Sequence, residues 1–223
     1  MRIGGARQIG VIFLALFSVT PALAQVPGAV SPEEVRLAAI LDRSLQAYEA
    51  VKDYRAVFYK QEEAQGGLGE REMIFLKFEK PFKLFMHWFD TRKKGLQVLY
   101  ERGRHDGKLA IHKPGLLLGL APVVFLDRNS PWVREGSESY DIEDAGIGTF
   151  LEDFSRMVQK GLDERTIRVE VTENAEEQTV DVRFPGTDPG SGYFAYRVVA
   201  LFDGVTHLPV QMRLYDWKEK LTG

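Results

Sequence analysis

Histidine side chains are the first candidates for chemistry in this chain, because imidazole can exchange a proton near neutral pH and can bind a metal. The chain has four of them, His87, His105, His112 and His207. His87 and His112 fall in predicted strands and could meet across a sheet as an acid–base pair or as metal ligands. None of the four stands at a metal-ligand spacing from another. The pattern favours ordinary strand and turn residues, and we predict no metal site.

Nucleophiles and phosphate-binding loops are equally scarce. Ser191 lies in "GSG" (190–192), which is typical of a turn and lacks the G-x-S-x-G pattern. The "GIG" at 146–148 lacks the lysine and the preceding strand of a phosphate-binding loop. Acidic residues in "DIEDAG" (141–146), Asp144 among them, are suited to the positive end of a following helix. We therefore predict no catalytic residue, no cofactor and no enzymatic activity.

The first 24 residues have the pattern of a secretory signal peptide. Arg2 and Arg7 precede an apolar run of eleven residues (9–19), and "ALAQ" offers a cleavage site after Ala24. The run is too short to cross a bilayer, which needs about 20 apolar residues. The sequence predicts an exported, periplasmic protein with no transmembrane segment in the mature chain.

Composition limits the remaining choices. The chain of 223 residues has no cysteine, so disulfides and thiolate metal sites are impossible. Its net charge is −3, so no overall field attracts nucleic acid or an anionic membrane. The basic run "TRKKG" (91–95) is a short loop, and we predict no nucleic-acid partner. After a linker at 25–30, residues 31–223 are predicted to form a single domain.

Helix and strand signals are strong along this domain. "SPEE" opens a predicted helix over 32–51 with a capping box, and 147–161 forms a second amphipathic helix that Gly161 is expected to end. Runs rich in aromatic and β-branched residues predict strands. They cover 54–64, 70–81, 82–90, 95–103, 107–114, 165–174, 178–186, 192–204 and 207–217.

The strands differ in how their two faces are used. Strands 165–174 and 178–186 alternate between apolar and polar residues, so one of their faces is in water. Residues 73–76 and 84–89 are apolar on both faces. These two strands are expected to be covered on one side and to meet another surface on the other.

The stretch between Lys113 and Trp132 fits no ordinary element. Nine of the eleven residues from Leu116 to Leu126 are apolar, but Gly119 and Pro122 interrupt them. The fold class that follows is α+β: a strongly curved antiparallel sheet with an N-terminal helix and a central loop plus helix.

The order of these segments resembles the LolA/LolB-like lipoprotein-carrier superfamily. Within it, the strings "YRAVFYKQE", "IFLKFEKPFKLFMHW", "QVLYERGRHDGKLAIHKPG", "DAGIG" and "LPVQMRLYDW" resemble the exported family named domain of unknown function 1571. The similarity covers about residues 33–217. It implies an eleven-strand half-barrel, with helices over a hydrophobic concave face that holds acyl chains. No residue here matches the arginine that locks the lid of the carriers.

The resemblance implies a carrier for a lipid or an acylated protein, and the apolar loop would then be a lid over the cavity. The alternatives are a loop that is permanent core, and a non-enzymatic sensor or scaffold that binds another envelope protein. The expected cavity and lid residues are Phe75, Phe85, Trp88, Leu116, Leu117, Leu118, Leu120, Val123, Val124, Phe125, Leu126, Phe150 and Phe154.

The end of the chain carries one more expectation. The strand at 207–217 is followed by the polar, turn-like sequence "KEKLTG". A strand followed by such a turn is the first half of a hairpin, and no second half follows it here. Either this strand is an exposed edge or a further strand is missing from the sequence. A bare edge recruits other strands, so we expect the chain alone to dimerise or aggregate there.

Overall fold

A computed structural model describes residues 30–64, 67–114, 123–131, 141–186 and 192–223. Helix α1 (Pro32–Ala50) begins as predicted. The Ser31 hydroxyl accepts a hydrogen bond from the Glu34 amide at 3.1 Å, and the Ser31 amide donates to the Glu34 carboxylate at 2.6 Å. This reciprocal capping box satisfies two amides that the first helical turn leaves without partners.

Helix α2 (Ile147–Glu164) runs one turn further than predicted. Gly161 lies inside the helix, and the chain leaves it at Arg165, which has a left-handed backbone (φ 55°, ψ 42°). The prediction that Gly161 ends the helix is wrong. A Cβ atom at this position would lie 2.2 Å from Cγ2 of Ile167, so glycine allows the last turn to pass close to the next strand.

Six strands form the first antiparallel sheet, in the order β1-β4-β5-β6-β7-β8. They are β1 (Asp53–Lys60), β4 (Glu72–Glu79), β5 (Lys83–Trp88), β6 (Gln97–Glu101), β7 (Leu109–His112) and β8 (Val123–Leu126). Two very short strands, β2 (Glu63–Ala64) and β3 (Gly67–Leu68), form a separate ribbon after β1.

Strand β8 corrects one expectation, because the stretch between Lys113 and Trp132 was predicted to fit no ordinary element. Val123 to Leu126 pair with β7 in the register Leu109↔Leu126 to His112↔Val123. The sequence "VVFL" is rich in residues that favour strands. Proline in the interior of a strand would remove a ladder hydrogen bond, and Pro122 precedes this run in the sequence rather than interrupting it.

The second antiparallel sheet has the order β12-β11-β10-β9. Its strands are β9 (Arg168–Glu173), β10 (Glu177–Arg183), β11 (Arg197–Asp203) and β12 (Pro209–Tyr215). On the free side of β12, Tyr215 pairs with Leu221, and the Thr222 amide donates to the Leu214 carbonyl at 2.8 Å. The chain after β12 thus turns back along it, whereas association through this edge stays a prediction.

The two helices pack against one face of the four-stranded sheet. Their contacts form a core of buried side chains that includes Leu37, Ile40, Phe154, Val198 and Phe202. The six-stranded sheet has a separate buried cluster, and Tyr48 of α1 contacts both. The predicted α+β class built on antiparallel strands is confirmed. The single curved sheet of the prediction is, in the described residues, ten strands divided between two open sheets.

Candidate functional site

The candidate site is the face of the six-stranded sheet that contacts Tyr48, here called the inner face. Alternate residues along each strand point to this side, because successive side chains of a strand point to opposite faces. They are apolar and almost completely buried. The set comprises Ile74, Leu76 and Phe78 of β4, Leu84, Met86 and Trp88 of β5, Val98 and Tyr100 of β6, and Leu109 of β7.

The described residues that cover the inner face from outside the sheet lie at one end of that face. Among described residues outside the strands and their connecting turn, Tyr48, Ile142 and Ala145 pack against the inner-face cluster. The start of α2 is held nearby, because the Ile147 amide donates to the Tyr54 hydroxyl at 3.2 Å. Burial raises the pKa of Tyr54 to about 12, so this phenol stays protonated in the physiological range.

At Trp88 the apolar surface ends in a polar pair. The indole Nε1 of Trp88 donates to a carboxylate oxygen of Glu72 at 2.8 Å. The other oxygen of Glu72 lies 2.6 Å from Nζ of Lys93. The indole ring therefore lies against apolar side chains while its single donor is satisfied by an anion that is itself paired.

At the end of the inner face opposite Trp88, a cluster of charged groups connects residues 141–144 to the sheet through hydrogen bonds and ion pairs. We call this cluster the Glu143 latch. The hydroxyl of Tyr100 donates to Glu143, and Nε of Arg102 lies 3.2 Å from the same oxygen. Nη1 of Arg128 lies 3.2 Å from the other oxygen of Glu143 and 3.1 Å from Asp141. Three separate parts of the chain, around 100–102, 128 and 141–143, meet in this cluster.

The electrostatics of the latch favour its charged, closed form. The pKa of Glu143 lies below its ordinary value, mainly because the Tyr100 hydroxyl donates to the carboxylate, and Arg102 adds to this against the effect of burial. Burial and the same hydrogen bond raise the pKa of Tyr100. Arg128 has a raised pKa, since the attraction of Asp141, Tyr100 and Glu143 outweighs its burial.

Sequence analysis did not find the latch. It assigned the acids of "DIEDAG" to a helix end, and that role is partly correct. Asp141 accepts a hydrogen bond from the Glu143 amide at 3.0 Å and caps the short 3₁₀ helix Ile142–Asp144. Glu143 instead reaches strand β6, more than forty residues away along the chain. No local pattern in the sequence carries that contact.

The predicted cavity residues do not share one surface. Phe75 and Phe85 point to the outer face of the six-stranded sheet, opposite Trp88. Phe150 and Phe154 are stacked in the core under α2, with ring centroids 5.4 Å apart. The reason is the two-residue period of a strand, which separates neighbours such as Ile74 and Phe75.

The predicted lid is also divided. Leu116, Leu117, Leu118 and Leu120 lie outside the described residues. In β8, Val124 and Leu126 point to the inner face, in register with Ile111 and Leu109, and Val123 and Phe125 point outward. Ligand binding by the predicted set stays a prediction, and the residues suited to one inner cavity are Trp88, Val124 and Leu126.

The histidines do not meet. His87 and His112 are both on the outer face, with Gln97 of β6 between them in the register. Adjacent strands lie about 4.8 Å apart, so strands β5 and β7 are about twice that distance apart. Within the described ranges, no group of three or more His, Asp or Glu side chains is placed to hold a metal ion.

Fold and site together define an open antiparallel α+β protein with an apolar inner face. A family model described as "Protein of unknown function (DUF1571)" matches residues 51–222. This is most of the chain, and the protein belongs to that family. A comparison with curated proteins gives no match.

Three solved structures are similar in overall arrangement. A LolA superfamily protein from Nitrosomonas europaea is 10% identical with a TM-score of 0.34, over 82% of this chain and 73% of that one. A putative outer membrane lipoprotein-sorting protein domain from Vibrio parahaemolyticus is 14% identical with a TM-score of 0.35, over 81% and 75%. A chain in the complex of the CwlD amidase with the GerS lipoprotein from Clostridioides difficile is 13% identical with a TM-score of 0.34, over 86% and 91%. Similarities of this size say nothing about what the present chain binds.

Neither of the two described helices, 32–50 and 147–164, has the length and apolarity that a membrane crossing needs. The signal peptide and its cleavage after Ala24 lie outside the described residues. Export therefore stays a prediction from the sequence.

Proposed function

We propose that this protein is an exported, periplasmic binding protein that holds the acyl chain of a lipid or of an acylated protein against the inner face of the six-stranded sheet. The observation that carries the proposal is the inner face itself. Nine buried apolar side chains cross four adjacent strands, and the described contacts from outside the strands lie at one end. An extended apolar chain is the kind of ligand that matches such a surface.

The inner face is closed in this structure, since Met86 and Trp88 are buried. An acyl chain can enter only if a covering segment moves. The predicted lid, 116–126, ends in strand β8 next to Arg128 of the latch. The Glu143 latch would hold the site shut, and its opening would accompany ligand entry.

The energetics are sufficient for a functional complex. Each buried methylene contributes about 0.8 kcal/mol, so a chain of about 16 carbons gains on the order of 10 kcal/mol before costs. Displacing the lid and ordering the ligand reduce this gain. Micromolar binding corresponds to about 8 kcal/mol and remains within reach.

Quenching of tryptophan emission by a brominated fatty acid tests the proposal directly. The chain has three tryptophans, Trp88, Trp132 and Trp217, and the variant Trp132→Phe/Trp217→Phe keeps Trp88 as the single emitter. We expect saturable quenching at micromolar ligand, because bromine atoms quench an indole that they contact.

The matched control is Trp88→Phe/Trp132→Phe, which retains Trp217 against the core under the helices. Its emission should stay unchanged. Equal quenching of both variants would contradict an inner-face site, and no quenching of Trp88 would contradict acyl binding. N-terminal sequencing of the periplasmic fraction should begin at Gln25, and a sequence that begins at Met1 would contradict export.

The variant Leu118→Asp separates a lid from permanent core. In a lid, the charged side chain can remain in water, so stability should change little while quenching of Trp88 is lost. In permanent core, burial of an unpartnered carboxylate costs several kcal/mol and should lower the melting temperature sharply. A large fall in melting temperature without ligand would contradict the lid.

A further inference from the structure

The outer face of the six-stranded sheet carries a strip of apolar side chains that crosses every strand. Val57, Tyr59 and Phe125 are 52%, 55% and 49% exposed. The register connects these positions in two rows. In one, Val57 lies beside Phe75, and the row continues through His87, Gln97 and His112 to Val123. In the other, Phe85 lies beside Leu99, and the buried Ala110 lies beside Phe125. We call the apolar members of this set, together with Phe89, the outer strip. Contiguous exposed apolar surface of this kind marks an interaction site.

Basic side chains surround the outer strip. Arg55 and Lys77 are neighbours in the register of β1 and β4, and both are exposed. The guanidinium of Arg71 lies 4.5 Å from the ring centre of Tyr59, and Nζ of Lys77 lies 5.4 Å from that of Phe75. Arg92 and Lys94 are exposed in the loop after Phe89. Within the described residues, none of these five cations forms an ion pair.

The acidic side chains of the outer face lie in rows next to the outer strip, where Asp53 is two residues from Arg55 on β1 and Glu79 is two residues from Lys77 on β4. Asp53, Glu79 and Glu101 lie in one row at the end of the strands, with Lys83 between them. Glu101 is near Lys83 and Arg104 at 3.8 and 3.4 Å. Asp90 accepts a hydrogen bond from the Met73 amide at 2.8 Å. The two rows of the sheet that contain Val57 and Phe125 therefore carry the cations Arg55 and Lys77 and no acidic residue, on a chain whose net charge is −3.

We infer that the outer strip is a docking surface for an anionic phospholipid bilayer. Aromatic rings with cations above them match the interfacial region of a membrane, where rings lie at headgroup level and long basic side chains reach the phosphates. The charge pattern thus favours an anionic partner, and the broad strip of rings favours a lipid surface over an acidic protein.

Co-sedimentation with vesicles tests the inference. The purified chain should bind vesicles of equal parts phosphatidylcholine and phosphatidylglycerol, and it should not bind vesicles of phosphatidylcholine alone. Added salt should release it, because screening weakens the attraction of surface charges. Neutralising two cations with Arg55→Gln/Lys77→Gln should lower the partition coefficient roughly thirtyfold, at about fivefold for each charge.

Arg168→Gln/Arg213→Gln is the matched control, since it removes two exposed arginines from the outer face of the other sheet. It should bind the anionic vesicles like the wild type. A second variant, Val57→Ser/Phe125→Ser, keeps all charges and should also lose binding, which a purely electrostatic association would not show. Melting temperatures of all variants establish that they are folded.

Several results would overturn the inference. Absence of binding to anionic vesicles, or equal binding to both lipid mixtures, would do so. Equal loss of binding in Arg55→Gln/Lys77→Gln and in Arg168→Gln/Arg213→Gln would do so as well. A dimer of the wild type that Val57→Ser/Phe125→Ser dissociates would point to a second copy of the chain instead. Capture of an acidic protein that anionic vesicles do not displace would also overturn it. The quenching of Trp88 reports the opposite face, so failure of acyl binding and failure of membrane docking are separate outcomes.

Discussion

The outer faces of the two sheets differ in how they treat charge. On the four-stranded sheet, the central charged side chains pair across the strands: Nε of Arg197 lies 2.9 Å from Asp181, and Nη1 of Arg183 lies 3.1 Å from Glu170. On the six-stranded sheet, rings and aliphatic side chains share the middle rows with His87, Gln97 and His112, and Arg55 and Lys77 form no ion pair with the described residues. The first face is mainly polar and partly paired, whereas the second exposes rings beside unpaired cations and is suited to a partner.

The inner faces differ in a parallel way. Two helices cover the four-stranded sheet, so its inner residues belong to an ordinary core. The inner face of the six-stranded sheet meets Tyr48 and residues 142–145 among the described parts, and a charged latch secures that contact. A core held by helices resists opening, whereas a surface held by a few ion pairs can be exposed at smaller cost. Both proposals therefore concern the six-stranded sheet.

The largest difference is expected between two phenylalanines. Phe202→Ala removes a ring that is fully buried under the helices, and it should lower the free energy of unfolding by about 3–5 kcal/mol. Phe125→Ala removes a half-exposed ring of the outer strip and should cost less than about 1 kcal/mol. Urea denaturation measures both. Similar costs would mean that the outer strip is part of the core.

The tight packing of α2 on the four-stranded sheet predicts a smaller effect. Gly161→Ala places a methyl group against Ile167 and should destabilise the protein by about 1–3 kcal/mol. In the background Ile167→Ala the same substitution should be nearly neutral, because the clash is relieved. A double-mutant cycle measures the coupling. Additive effects would contradict the close approach.

Charge pairing on the two outer faces gives the third prediction. Asp181 holds Arg197, and the pKa of that guanidinium is raised mainly by its hydrogen bonds to Asp181. Asp181→Asn should lower stability by about 1 kcal/mol, since two partly buried arginines lose their anion. Lys77→Gln should leave the melting temperature unchanged. If Lys77→Gln destabilised equally, the contrast between the outer faces would be wrong.

The smallest effect is expected at the latch, and it depends on pH. The pKa of Glu143 is lowered in the folded protein, so its carboxylate adds stability above its ordinary value near 4.5 and loses it as pH falls through the lower folded value. Glu143→Gln should cost about 1 kcal/mol or less at neutral pH. The difference from wild type should shrink as pH falls below about 4.5. A constant difference at all pH values would show that the charge is irrelevant.

Local patterns were sufficient for most elements. The capping box of Ser31 and Glu34 placed the start of α1, and runs of aromatic and branched residues located the strands of both sheets except β8. Residues 73–76 and 84–89 are apolar on both faces, which also indicated that both faces of these strands contact another surface. It could not show which residues share a face with which, so Phe75 and Phe85 were grouped with Trp88 although they point the other way.

Contacts between distant segments were not predictable. The carboxylate of Glu143 meets Tyr100, Arg102 and Arg128 only because the chain turns back over the sheet. Gly161 looked like a helix end, and its role depends on Ile167 passing within contact distance. In both cases, the residue type was visible and its partner was not.

The sequence by itself determined the α+β class, the antiparallel strands and the apolar character of the six-stranded sheet, because periodicity and propensity act over a few neighbouring residues. Only the tertiary structure decided how the strands divide into two sheets, which sheet the helices cover, and where unpaired cations gather around exposed rings. These features depend on packing between residues far apart in the chain, and the local pattern of hydrophobic residues does not specify such contacts.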